Sequence, residues 1–497
     1  MKNGMLSINY KIYLLFLCTL VMAGTSCKKS FLDQTPYESV PVSSAVTNEG
    51  SMYTAVIGLY SSLRATDFYG RTYAVKGDLM SDNAFLAFQN SGRYTNFNKY
   101  DMEKTNGYAS AIWLNSYVAI KNANLIINSK VEISNDNISQ LYAETYALRG
   151  MVYFDLVRNF GLPYVGNEKK LGVPIVLDFN QSSKPARDTI YKVYEQILSD
   201  LNMAYSLAKY DMGSTMSFLT TGANRVVNSS YVTKYVISGL LARVYQHMGN
   251  WAAAKTAALD VVNNGGYSLT ASTALAGYWA GTTPRADKIE TMFEVTSDGN
   301  NNVIDGTLGN MYVPKPTGSY GDILATKALY DSYAATDVRK KLYNPAARVG
   351  QAGTAYFVTK YPINNTTYDD VKIVRYAEVL LILAEAYYNT SDEAQALQYV
   401  NMVATKRDPS FAGYTTTGAA VLESILTERQ KELAFEGYRF WDLYRLKRTF
   451  TKPQGQDGSS NINESITVTP TTKNIIFPIP FFDEILVNPN IQQNDNY

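Results

Sequence analysis

The chain has 497 residues with 45 basic and 44 acidic side chains, and its longest basic runs are the pairs Lys28-Lys29, Lys169-Lys170 and Lys340-Lys341, so nucleic acid is excluded as a partner. A single histidine, His247, rules out a multi-histidine zinc site and leaves a Ser-His-Asp triad only that residue, while Cys18 and Cys27 both lie near the N-terminus, leaving the rest of the chain without a disulfide or thiol nucleophile. A composition 46% hydrophobic and 18% charged is that of a globular chain with a large core, and 40 tyrosines suit a recognition surface better than a catalytic centre, each offering an apolar face with a polar tip.

In chain order, Lys2 and Lys11 precede an apolar run over residues 12–23, followed by Gly24-Thr25-Ser26-Cys27. The run is about half the ~20 residues that span a bilayer, which predicts a cleaved export signal. A cysteine directly after small residues resembles a bacterial lipoprotein signal, with residues 1–26 removed and Cys27 acylated, although Gly24 stands where a leucine is usual. Removal leaves 43 basic against 44 acidic residues, so acyl chains rather than charge would hold the mature protein at a membrane.

Apolar residues recurring at three and four predict helices over residues 49–64, 108–129 and 138–160, with Leu141, Leu148, Val152 and Leu156 on one face. Residues 81–97 interleave rings and amides: Phe88 and Tyr94 are candidates for stacking on a sugar and Asn83 and Asn90 for bonding its hydroxyls, although Phe85 and Phe88 at i, i+3 fit a helix core equally. Long loops are expected at 161–188, 263–287, 298–321 and 452–474, where Asn, Ser and Thr cluster with Gly and Pro.

An internal repeat follows. Leu241-Ala242-x-x-Tyr245 has Ala254 nine residues on, and Leu383-Ala384-x-x-Tyr387 has Ala396 nine residues on, which are tetratricopeptide spacings in which a small residue lets paired helices approach. A weaker copy, Gly150-x-x-Tyr153, finds its partner helix at 190–207. Tyr278-Trp279 sits in a glycine-flanked stretch, read as a loop in which two adjacent rings would be exposed unless a ligand covered them, so both are candidate sugar platforms; Tyr320 is a further one. Asp298, Asn300, Asn301, Asn302 and Asp305 suggest a cation loop without EF-hand spacing, so structural calcium stays an option and no cofactor is assigned. Helices are predicted over 371–386 and 419–436, the second stopped by Gly437. Glu428, Glu432 and Glu436 then share one face near Arg429, Arg439 and Arg445, an arrangement that reads as a salt-bridge network rather than a glycosidase pair, whose acid needs a raised pKa.

Several stretches combine in one order: Cys27 with Phe31-Leu32-Asp33; Ala147-Leu148-Arg149 through Tyr153-Phe154-Asp155-Leu156-Val157-Arg158-Asn159-Phe160-Gly161; Ile373-Val374-Arg375-Tyr376-Ala377-Glu378; Glu432-Leu433-Ala434-Phe435-Glu436-Gly437-Tyr438-Arg439-Phe440-Trp441-Asp442-Leu443; Pro478-Ile479-Pro480; and Asn488-Pro489-Asn490. Together they resemble the SusD/RagB family of outer-membrane nutrient-binding lipoproteins. The resemblance implies a mainly α fold in which tetratricopeptide-like helix pairs pack against an irregular, loop-rich half with a few short strands. It implies a signal over 1–26, a SusD-like region over 27–225 and a RagB/SusD C-terminal region over 226–497, the last two in one compact body. It also implies lipid anchoring at the outer membrane facing the cell surface, glycan capture without catalysis, and delivery to a SusC-like TonB-dependent β-barrel transporter. Peptide capture, a secreted glycoside hydrolase and a tetratricopeptide adaptor without a small ligand are the alternatives.

Overall fold

The computed structural model describes residues 45–178, 184–218, 221–297, 306–314, 321–348, 353–361, 369–454 and 465–497. The export segment, Cys27, Tyr320 and the expected cation loop at 298–305 lie outside them. The second of the chain's two compact units, Thr47–Tyr497, carries the following elements.

Its first half contains α1 (Glu49–Ser62), α2 (Thr72–Leu79), β1 (Ala84–Leu86), α3 (Thr95–Lys99), α4 (Gly107–Ile127), α5 (Asp136–Phe160), α6 (Ile190–Leu207), β2 (Thr215–Ser217) and β3 (Asn224–Val226). Then come α7 (Lys234–Met248), α8 (Trp251–Asn264), α9 (Leu275–Ala280), β4 (Thr291–Val295), α10 (Leu308–Tyr312), β5 (Ile323–Ala325), α11 (Lys327–Ser332), β6 (Tyr343–Ala346), β7 (Ala355–Val358) and β8 (Val371–Arg375). The chain closes with α12 (Tyr376–Asn389), α13 (Glu393–Arg407), α14 (Ala419–Glu432), α15 (Arg439–Arg445), β9 (Phe450–Lys452) and β10 (Ile466–Val468).

The repeat spacings produce helix pairs. Thr233 caps α7, Asn250 caps α8 and Asp392 caps α13, each side chain accepting a first-turn N–H. Gly249 takes a left-handed φ of 68° at the end of α7, which a side chain would resist. Ala242, Ala254, Ala384 and Ala396 are fully buried where α7 meets α8 and α12 meets α13. The weaker copy pairs in the same way: a Cβ on Gly150 of α5 would come within 3.2 Å of Leu201 Cγ on α6. Helix α12 packs on α8 as well as α13, so the pairs form one scaffold.

Short strands make the other half. A four-stranded antiparallel sheet runs in the order β1-β5-β7-β6 and buries Phe85, Leu324 and Phe357, while β4 pairs with β8. Phe85 therefore lies in a strand, Ala84 pairing with Ala325, and not in a helix with Phe88. Helix α14 stops at Glu432, four residues short of the predicted end, and Gly437 does not cap it. The reason is electrostatic: Glu436 turns inward to meet Arg375 Nε (2.6 Å) and Lys360 Nζ (2.6 Å), with Phe435 and Gly437 in left-handed backbone at φ 65° and 85°. That turn lies against α2, where a Cβ on Gly77 would overlap the Gly437 backbone.

Candidate functional site

The sequence candidates go to different places. Trp279 and Tyr278 lie on α9, a helix and not a loop, and Trp279 is only 4% exposed. Its ring covers cations: Lys360 Nζ lies 4.3 Å, Arg375 Cζ 5.1 Å and Lys372 Nζ 5.4 Å from the ring centroid. Tyr278 is buried with its hydroxyl 2.7 Å from Thr291 Oγ1. The expectation of an exposed aromatic pair is thus corrected: Gly277 lies within a short helix that Gly281 ends, and the rings of that helix roof a charged core. Asn83 is also fully buried, donating to Asp78 Oδ1 (2.8 Å) and accepting from Gln430 (2.9 Å), so its amide is engaged inside the protein. Phe88 is exposed, just beyond β1, where Arg348 bonds the neighbouring Gln89 carbonyl.

The glutamate series is an ion network, with different partners from those expected. Arg339 bonds Glu428 (2.6 Å) and Glu432 (3.0 Å), and Arg375 and Arg407 both bond Glu432 and Glu290. With Asp337, Glu436, Lys360 and Lys431, five carboxylates face five cations. Arg429, Arg439 and Arg445 instead pair with Asp442, Asp82 and Glu385. Burial alone would raise the Glu432 pKa, but the charges of Arg407, Arg375 and Arg339 reverse that and hold it well below the usual carboxylate range. A general acid requires the opposite shift.

Tyr94 leads to the open site. Its buried hydroxyl accepts from Arg71 Nε (2.7 Å) and lies 2.8 Å from Thr72 Oγ1, contacts that hold a non-glycine residue at φ 59°. Arg71 also donates to the Gly306 carbonyl (3.1 Å). Against the Tyr94 ring stacks Tyr108, with centroids 4.6 Å apart and planes at 25°. Tyr108 is in position because Asn106 caps α4 through Ala109 N (3.0 Å), which puts it in the exposed first turn. There it lines a concavity of about 470 Å³ together with Asp67, Asn96, Glu103, Thr105 and Asn106. Burial pushes the Tyr94 hydroxyl up to about 12 and raises that of Tyr108, so both stay neutral near pH 7. A half-exposed ring backed by a second ring and bordered by amides and carboxylates can pack a pyranose face while bonding its hydroxyls. Tyr108, Asp67 and Asn96 escape sequence reading; the signal for Tyr108 is the Asn106-Gly107 start ahead of a helical run.

Two family models match the chain: "SusD family" over residues 338–497 and "Starch-binding associating with outer membrane" over 30–234. SusD-like protein P2 of Formosa agariphila is 26% identical across 98% of this chain and 99% of that protein. The chain belongs to the SusD/RagB family. SusD-like protein P38 of the same organism is 25% identical over 78% of this chain and 79% of its own length. Among solved structures, a putative sugar binding protein from Bacteroides vulgatus superimposes with a TM-score of 0.80 at 28% identity, covering 91% of this chain and 100% of that one. A SusD superfamily protein from Bacteroides thetaiotaomicron gives 0.79 at 25% identity, covering 90% and 100%. The fold is the tetratricopeptide-like helical one of the SusD superfamily, with a few short strands among the described residues. No described helix is long and apolar enough to cross a membrane, and no group of three or more His, Cys, Asp or Glu among the described residues could hold a metal ion.

Proposed function

We propose that this SusD/RagB protein is a glycan-binding lipoprotein, anchored through Cys27 in the outer membrane and facing the cell surface, which captures oligosaccharide and delivers it to a TonB-dependent β-barrel transporter. The observation that carries the reading is the Tyr108 concavity, an open aromatic and amide surface in a chain whose N-terminal stretch matches a starch-binding family model. Its mechanism is reversible capture: one ring face and a few hydroxyl bonds give modest affinity, which suits release into a channel. Catalysis finds no support in the glutamate series, whose carboxylates are held in ion pairs.

The test is affinity electrophoresis of the mature chain carrying Cys27→Ser through plant, host and microbial polysaccharides. Retardation by one glycan class is expected. Tyr108→Ala should weaken it by about tenfold, the worth of an aromatic contact of about 1.4 kcal/mol. Retardation by no polysaccharide, with affinity for oligopeptides instead, would replace glycan by peptide as the cargo. Retardation unchanged in Tyr108→Ala would move the site elsewhere.

A further inference from the structure

A second cavity, of about 480 Å³, opens where the connection after α5 meets residues 470–497. Its volume falls within the ~300–1,000 Å³ of small-molecule sites. Leu162, Pro163, Ile475 and the ring of Tyr444 give it an apolar side. Its charged lining residues are Lys170, Arg187, Lys447 and a single acid, Asp495.

Arg187 is the unusual member. It is only 7% exposed, yet its guanidinium donates to neutral oxygens alone: the carbonyls of Gly172 (2.7 Å), Gln492 (3.0 Å), Phe160 (3.1 Å) and Leu171 (3.1 Å), and the amide oxygen of Asn494 (2.8 Å). Every other buried arginine pair described above has a carboxylate in contact, as the cost of burying a charge demands. Burial pulls the Arg187 pKa down to about 10, which leaves it charged near neutral pH. The wall also holds two buried oxygens without a hydrogen-bond partner, Tyr444 Oη and Asn474 Oδ1. Lys170 and Lys447 are exposed, so the cavity presents positive charge both within its wall and to solvent.

We infer that this cavity is a second ligand site and that it takes an acidic saccharide, whose carboxylate or sulfate answers Lys170, Lys447 and Arg187 while its ring packs on the Tyr444 and Ile475 side. Inorganic anions would leave the apolar wall and most of the volume empty. A neutral sugar would leave three cationic side chains, Lys170, Lys447 and Arg187, answered by the carboxylate of Asp495 alone. The site is separate from the Tyr108 concavity and does not depend on that reading.

Isothermal titration of the mature Cys27→Ser chain with trigalacturonate, a sulfated chondroitin disaccharide and maltotriose tests it. At least one acidic probe is expected to bind more tightly than maltotriose, with affinity falling as salt is raised. The double variant Lys170→Ala, Lys447→Ala, which alters only exposed side chains, should lower that affinity at least tenfold, and Tyr108→Ala should leave it unchanged. Absence of binding by both acidic probes overturns the inference, as does equal binding by the double variant. Loss in Tyr108→Ala overturns it too, by placing the acidic sugar in the first site; loss of neutral glycan binding alone in that variant bears only on the Tyr108 reading.

Discussion

Tyr108 and Trp279 offer a sugar similar ring chemistry in opposite surroundings. The sequence favours Trp279 because glycines flank it, yet the ring faces Lys360, Lys372 and Arg375, and those cations come from strands and connections far along the chain. The glutamate series shows the same boundary of legibility. Its i, i+4 spacing announces paired carboxylates, but the partners stand 89 residues away for Arg339 and Glu428 and 57 for Arg375 and Glu432, distances at which spacing carries no information. Glu432 is the residue on which this network turns, since three arginines bond it. Glu432→Gln should lower stability by about 3–5 kcal/mol, because it leaves buried guanidinium charge uncompensated. Urea unfolding measures this; an unchanged midpoint would show that the network adds nothing there. The pH dependence has a definite sign. The folded pKa lies below the ordinary 4.5, so the contribution is complete above that value and is lost as the pH falls toward the folded one. The wild-type midpoint should therefore fall on acidification below about pH 4.5, and the Glu432→Gln midpoint should fall less steeply.

Helix pairs were legible because their signal is local: an alanine, a tyrosine three residues on and a turn all sit within one hairpin, and α7 with α8 and α12 with α13 form as the spacing predicts. The four-stranded sheet was not legible, because strands of three or four residues have no period to read and β1 pairs with β5 from the middle of the chain. Between these extremes lies α2, whose contact with the Glu436 corner depends on two glycines. Gly437 N donates to Asp78 Oδ2 at 2.7 Å, and an added Cβ on Gly77 would lie 2.0 Å from the Gly437 carbonyl oxygen. Backbone cannot swing aside as a side-chain end does, so Gly77→Ala should cost about 3 kcal/mol, the upper end of overpacking. Gly58→Ala on α1 supplies the contrast, since nothing lies within 4 Å of its added Cβ. That variant should gain about 0.5–1 kcal/mol by restricting the unfolded chain. Thermal unfolding of both reads the difference; equal melting temperatures would mean that the corner yields freely.

Within the compact unit, the parts of the two family-model stretches over residues 47–234 and 338–497 interlock through named contacts. Lys76 Nζ bonds Asn159 (2.7 Å) and sits over the rings of Trp441 (4.4 Å) and Phe477 (3.9 Å). Asp82 pairs with Arg439, Asn83 with Gln430 and Asn98 with Gln454, while Lys452 donates to the Ala84 carbonyl. Each of these groups is polar or charged, and most are buried, so separating the stretches would leave them unpaired in both. Such an arrangement predicts that residues 47–225 and 226–497 behave as one cooperative body. The mature chain should then unfold in a single transition, with far-ultraviolet circular dichroism and tryptophan fluorescence tracing the same urea curve. A fragment of residues 226–497 should show no cooperative transition, because Arg439, Gln430 and Lys452 lose their partners and Trp441 and Phe477 lose the lysine they enclose. Two resolved transitions in the mature chain, or a cooperative one in the fragment, would show that the contacts between the stretches are dispensable and that the C-terminal region carries its own core.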